Sequence, residues 1–126
     1  MNDKPFEVLV YYTDIKDPKR KTLKPDRDGS VLKSMQDVVH GYIEVIRHPV
    51  RDDLCIVVNE EGKLKDSRFN RLIFWLDKYS KLHRDFLFDD FLICRHSGDD
   101  LVSLTEDDVK WLVREDHTFA WWQQEK

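Results

Sequence analysis

Residues 6–12 are rich in aromatic and β-branched side chains, and alternate positions put Phe6, Val8 and Val10 on one face, which predicts a first strand. Residues 14–18 read as loop, because Pro18 cannot continue a central strand. The basic run 19–24 suits a short edge strand, since lysines discourage edge pairing. After a turn at 26–29, Ser30 is placed to cap a helix. Val31, Leu32, Met35, Val38 and Val39 then recur at helical spacing, predicting a helix over 31–40 that Gly41 closes in the left-handed conformation. Residues 42–47 alternate again and stop at His48-Pro49. Leu54 to Val58 is almost continuously apolar, as in a central strand covered on both faces. It hands over to a tight polar turn, Asn59-Glu60-Glu61-Gly62, in which Gly62 is free to take a positive φ.

In the second half, Phe69, Leu72, Ile73 and Leu76 sit at helical spacing behind Ser67 as a cap, predicting a second helix. Phe74 and Trp75 fall outside that stripe. Residues 77–85 read as loop or frayed helix, and 86–94 as a strand interrupted by Asp89-Asp90, its firm part being 90–95. A turn follows at 97–100. Thr105 and Asp108 then have the spacing of a reciprocal capping box, and Leu104 and Val109 that of a hydrophobic staple. The helix they open runs through Trp111, Leu112 and Val113, and an aromatic tail follows. The expected fold is α+β: a mixed, mostly antiparallel sheet of about four or five strands with about three helices packed on it.

Length and composition narrow this picture. The 126 residues fit one domain, long enough to bury a core without covalent staples. Charged residues reach 37 %, yet aromatics at 12 % separate the chain from disordered compositions. The net charge of -4 is neither the basic balance of a nucleic-acid binder nor the strong acidity of a DNA mimic. Cys55 and Cys94 lie in apolar runs, and no leader-like segment precedes them, which points to a reducing cytosol. No window approaches the roughly 18 apolar residues of a membrane span.

Candidate chemistry is sparse. The five histidines, His40, His48, His83, His96 and His117, show no metal-ligand spacing, so no metal or other cofactor is expected. There is no nucleophile elbow and no glycine-rich phosphate loop. One stretch differs in kind. Asn59, Glu60, Glu61 and Lys63, with Asn70 and Arg71 shortly after, put an amide, carboxylates and two cations within one chain reversal. Either a glutamate pairs with Arg71 and fastens the loop, or the residues form a polar recognition surface. The tryptophans Trp75, Trp111, Trp121 and Trp122 are candidate anchors for a partner or for a second copy of the chain.

The run Gly41-Tyr42-Ile43-Glu44-Val45, the segments Val57-Val58-Asn59-Glu60-Glu61-Gly62-Lys63-Leu64 and Asn70-Arg71, then Phe91-Leu92-Ile93 and 101–108, resemble a small bacterial and phage family catalogued as domain of unknown function 3846. The resemblance covers about 31–113 and leaves 114–126 as an additional tail. It implies an accessory protein of phages or other mobile elements in a bacterial cytoplasm, and brings with it no established catalytic activity. The leading functional expectation is a non-catalytic binding protein that modulates a host protein, for example in counter-defence. A second is a binder of a signalling nucleotide through Lys63, Arg71 and stacking aromatics. A third is a carboxylate enzyme using Glu60, Glu61 and Asp89, which requires a pocket that raises a carboxyl pKa.

Overall fold

The computed structural model describes residues 6–62 and 67–120. In chain order the elements are β1 (Phe6–Tyr11), β2 (Lys19–Leu23), α1 (Leu32–Val39), β3 (Ile43–Arg47), β4 (Leu54–Asn59), β5 (Phe69–Leu76), β6 (Leu82–Phe88), β7 (Phe91–Ser97), β8 (Asp100–Val102), α2 (Glu106–Arg114) and β9 (Phe119–Ala120). Six strands form one sheet with the path β2-β1-β7-β4-β3, β8 pairing with β7. Three form a second sheet in the order β6-β5-β9. All the pairings are antiparallel. The α+β class and the antiparallel character are as expected. The strands described are nine in two sheets and the helices two, against about four or five strands and about three helices anticipated.

The difference lies in residues 69–88. Side chains at 71, 73 and 75 alternate with those at 72, 74 and 76 across a strand, and both sets are largely apolar. An apolar run without a polar face gives a helical match as readily as a strand. The expected loop at 77–85 is instead a hairpin tip, with Asp77 and Lys81 joined by a backbone bond, followed by most of β6. Asp77 builds the tip, its carboxylate accepting from the amides of Tyr79 and Lys81 and from His83.

The large sheet separates two cores. On one face Val8, Val10, Leu23, Cys55, Val57, Leu92 and Cys94 meet Met35, Val38 and Val39 of α1. On the other, Leu9, Tyr11, Leu54, Ile56, Phe91 and Ile93 meet Ile73 and Leu87 of the small sheet and Val109 and Leu112 of α2. The continuous apolar run of β4 is thus divided by the pleat, Leu54 and Ile56 to one core and Cys55 and Val57 to the other. Cys55 and Cys94 are register partners on adjacent strands, both buried and free. Burial pushes the Cys94 thiol up to about 12, with Cys55 beside it adding to the rise.

Local details correct three expectations. Val31, not Ser30, is the N-cap of α1 and carries no side-chain cap, although the Ser30 hydroxyl accepts from the Leu32 amide. The left-handed residue closing α1 is His40, at φ 66°. Gly41 is required by contact instead: a Cβ there would lie 2.8 Å from Asn59 Nδ2. Gly62 has no positive φ either; its Cβ position is bounded by the Asn59 carbonyl at 3.1 Å. By contrast α2 has its full capping box, Thr105 Oγ1 accepting from the Asp108 amide and the Asp108 carboxylate from the Thr105 amide. Leu104 and Val109 are buried in one core as a staple requires.

Candidate functional site

The turn after β4 is built by Asn59. Its Oδ1 accepts from the Glu61 amide at 2.7 Å, its Nδ2 donates to the Val39 carbonyl at 3.0 Å, and its own carbonyl accepts from Gly62. Asn59 therefore ties the end of β4 to the end of α1. Glu60 and Glu61 are exposed at the tip of this turn, and Lys63 lies outside the described residues.

Asn70 and Arg71 are not surface residues, at 1 % and 2 % exposed. At the Phe69/Arg71 bulge of β5, Asn70 Nδ2 donates to the carbonyls of Tyr11 and Asp89, at 2.7 Å each. The Arg71 guanidinium donates to the carbonyls of Tyr12, Ile15 and Lys16 and to Asn70 Oδ1, and lies over the Tyr11 ring. Burial pulls its pKa down to about 10, opposed by Tyr11 and Asp17, so it stays charged at neutral pH. The pair clamps the β1–β2 loop onto β5. A single polar surface combining Glu60, Glu61, Asn70 and Arg71 is thereby corrected: the glutamates face solvent and the Asn-Arg pair faces the interior. Sequence carries no signal for that inversion, because an arginine beside an asparagine reads as hydrophilic whatever covers it.

Other ionisable groups form internal networks that sequence reading missed. His48 is buried between Trp111 and Phe119; its Nδ1 accepts from the amides of Val50 and Arg51, which leaves the proton on Nε2 to donate to Asp116 at 2.8 Å. Asp108 accepts from Arg95 through two bonds and from Arg51, and Arg51 forks onto Asp53. Burial raises the Asp108 pKa, but the bonds from Arg95, Thr105 and Arg51 outweigh it and hold the carboxyl well below the usual carboxylate range. Asp89, the third carboxylate of the enzyme reading, sits at a positive-φ corner, where it accepts from the Arg68 amide. Among the described residues, no buried side-chain nitrogen or oxygen lacks a hydrogen-bond partner, and no three His, Cys, Asp or Glu side chains are grouped to hold a metal.

The small sheet leaves apolar side chains open to contact. Ile73, Trp75, Leu87 and Phe119 belong to the core, so Leu72, Phe74 and Leu76 of β5 and Leu82, Arg84 and Phe86 of β6 share the outer face of the small sheet. Leu76 and Leu82 are 64 % and 59 % exposed. Just ahead of β9, this face continues into a groove of about 490 Å³ lined by residues that include Val50, Trp75, Leu76, Leu82, Trp111 and Thr118. Of the four tryptophans singled out, Trp75 stacks on His83 and Trp111 lies under Arg51; each is half-buried with one edge in the groove. Trp121 and Trp122 lie outside the described residues.

The fold and this surface define a small two-sheet α+β protein whose buried polar groups, among the described residues, are hydrogen-bonded and whose small sheet has a largely apolar outer face. The chain belongs to the family described as Domain of unknown function (DUF3846), whose model matches residues 6–117. The match takes in β1 and β2 and runs on past α2 to residue 117, and so extends beyond 31–113 at both ends. No curated protein and no solved structure matches the chain. No helix among the described residues is long and apolar enough to cross a membrane.

Proposed function

We propose that the protein is a non-catalytic binding module that acts by docking another protein on the outer face of its small sheet. The observation that supports this is the uncovered row Phe74, Leu76, Leu82 and Phe86 with Arg84 in its midst. Contiguous apolar surface of this kind, rimmed by polar residues, is what protein contacts use. Arg84 directly opposes Phe74 across the hairpin, and among the described residues it has no acidic partner. Two copies packed face to face about a two-fold axis would drive their Arg84 guanidiniums together in apolar surroundings. The occupant is therefore a different chain, presenting an aliphatic ridge and a carboxylate for Arg84. As an accessory protein of a mobile element in a bacterial cytoplasm, it would modulate a host protein in this way. The nucleotide reading has less support, because Arg71 is engaged with main-chain carbonyls.

The test is affinity capture from bacterial lysate with the wild-type chain, Arg84→Glu, Leu82→Asp, and Lys33→Glu on α1 as control. The wild type and the control should retain one stoichiometric protein that the two face variants lose, at unchanged melting temperature. No stoichiometric partner, a partner retained by both face variants, or a concentration-dependent dimer through this face would each overturn the reading.

A further inference from the structure

The free edge of β3 carries a second surface. β3 ends the large sheet and, among the described residues, pairs only with β4. The flanking bonds fix the phase of this ladder: the Glu60 amide donates to the Tyr42 carbonyl at 2.8 Å, and the His48 amide to the Leu54 carbonyl at 3.0 Å. In an antiparallel pair, alternate residues direct both backbone groups at the partner. Tyr42, Glu44, Ile46 and His48 therefore face β4, and Ile43, Val45 and Arg47 turn their amides and carbonyls outward. No proline or lysine interrupts β3, and no described strand or helix covers the outward side.

Along this edge the two sheets part in a cleft of about 220 Å³. It is floored by Ile46, Val58 and Leu87 and lined by the polar residues Glu44, Glu60 and Asp85. Small-molecule sites are larger, at roughly 300–1,000 Å³. The space suits one long side chain with an aliphatic stem and a charged tip. Glu44 and Glu60 are exposed and, among the described residues, neither forms an ion pair. On an added strand, the residues opposite Glu44 and Ile46 would point to the cleft side.

We propose that β3 is a strand-addition site for an extended basic peptide segment, which pairs with Ile43, Val45 and Arg47 and lays a lysine or arginine into the cleft against Glu44 and Glu60. Main-chain bonds supply the affinity of such sites and alternate side chains the selectivity. The edge belongs to the other sheet, so the inference stands whether or not the hairpin face binds a protein.

The probe is a fluorescein-labelled octapeptide alternating lysine and valine, read by anisotropy, with the glutamate–valine octapeptide as its counterpart. The cationic peptide should bind and the anionic one should not, with affinity falling as salt screens the contact. Glu44→Gln should weaken binding by about tenfold or more. Val45→Pro removes an outward amide without touching the β4 ladder, follows an already extended residue, and should abolish binding. A lysine–valine peptide N-methylated at alternate residues keeps its charge and loses its ladder donors, so it tests strand addition on the wild-type protein and should also fail to bind. No binding of the cationic peptide, or equal binding of the N-methylated peptide, would overturn the proposal. So would indifference of a folded Val45→Pro variant.

Discussion

Arg71 is a cation held inside the protein by carbonyl oxygens. Removing it leaves the Tyr12, Ile15 and Lys16 carbonyls short of donors at a partly buried junction, and a fully buried orphaned group costs about 1–3 kcal/mol. Arg71→Met should lower the urea-unfolding free energy by roughly 2–4 kcal/mol without changing the m-value. Arg71→Lys should recover little of this, because an ammonium has no planar fork to span carbonyls from separate residues. A loss below about 0.5 kcal/mol for the methionine variant would show that the clamp is not structural. By its sequence alone this residue looks like a surface cation. Hydrophilicity of the side chain is legible in sequence, whereas the three carbonyls that make its burial tolerable come from a loop more than fifty positions away.

At the scale of elements, the two helices differ in how their starts are held. Thr105 caps α2 reciprocally with Asp108, while α1 starts at Val31 without a side-chain cap. Thr105→Ala should therefore cost about 1 kcal/mol, and Ser30→Ala only a few tenths, in thermal or urea unfolding. Equal losses would contradict the cap assignment. Where local chemistry decides an element it was legible: the capping box and staple of α2, the proline stop after β3, and the glycine turn between β7 and β8 all read from neighbouring residues. Where tertiary cover decides, it was not. β5 carries Ile73 and Trp75 inward and Leu72, Phe74 and Leu76 outward, so its outer face imitates a core face. That imitation both concealed the second sheet and left an exposed apolar surface on it. Phe74 and Trp75, the two residues that did not fit the helical stripe, were the signal that a period of two applied.

Across the whole molecule, stability against acid should be concentrated in one carboxylate. Asp108 joins three regions: it caps α2, accepts from Arg95 on β7, and accepts from Arg51 in the β3–β4 turn. Its pKa in the folded chain lies below its ordinary value of 3.8, burial being outweighed by these donors. A carboxyl with a depressed folded pKa binds its proton more readily when unfolded. Its contribution is therefore fully present above the unfolded value and is lost as pH falls toward the folded one. Wild-type stability should drop progressively from about pH 5 downward. Asp108→Asn keeps the shape but not the charge, and leaves Arg95 and Arg51 facing a neutral amide. It should be less stable than wild type by roughly 2–4 kcal/mol at pH 7, with the gap narrowing toward pH 2 as the unfolded wild-type chain takes up a proton that the folded one refuses. A gap independent of pH would place the acid sensitivity elsewhere. The pattern fits a scaffold whose buried charges fasten sheet, turn and helix together while its outer strands stay available for contact.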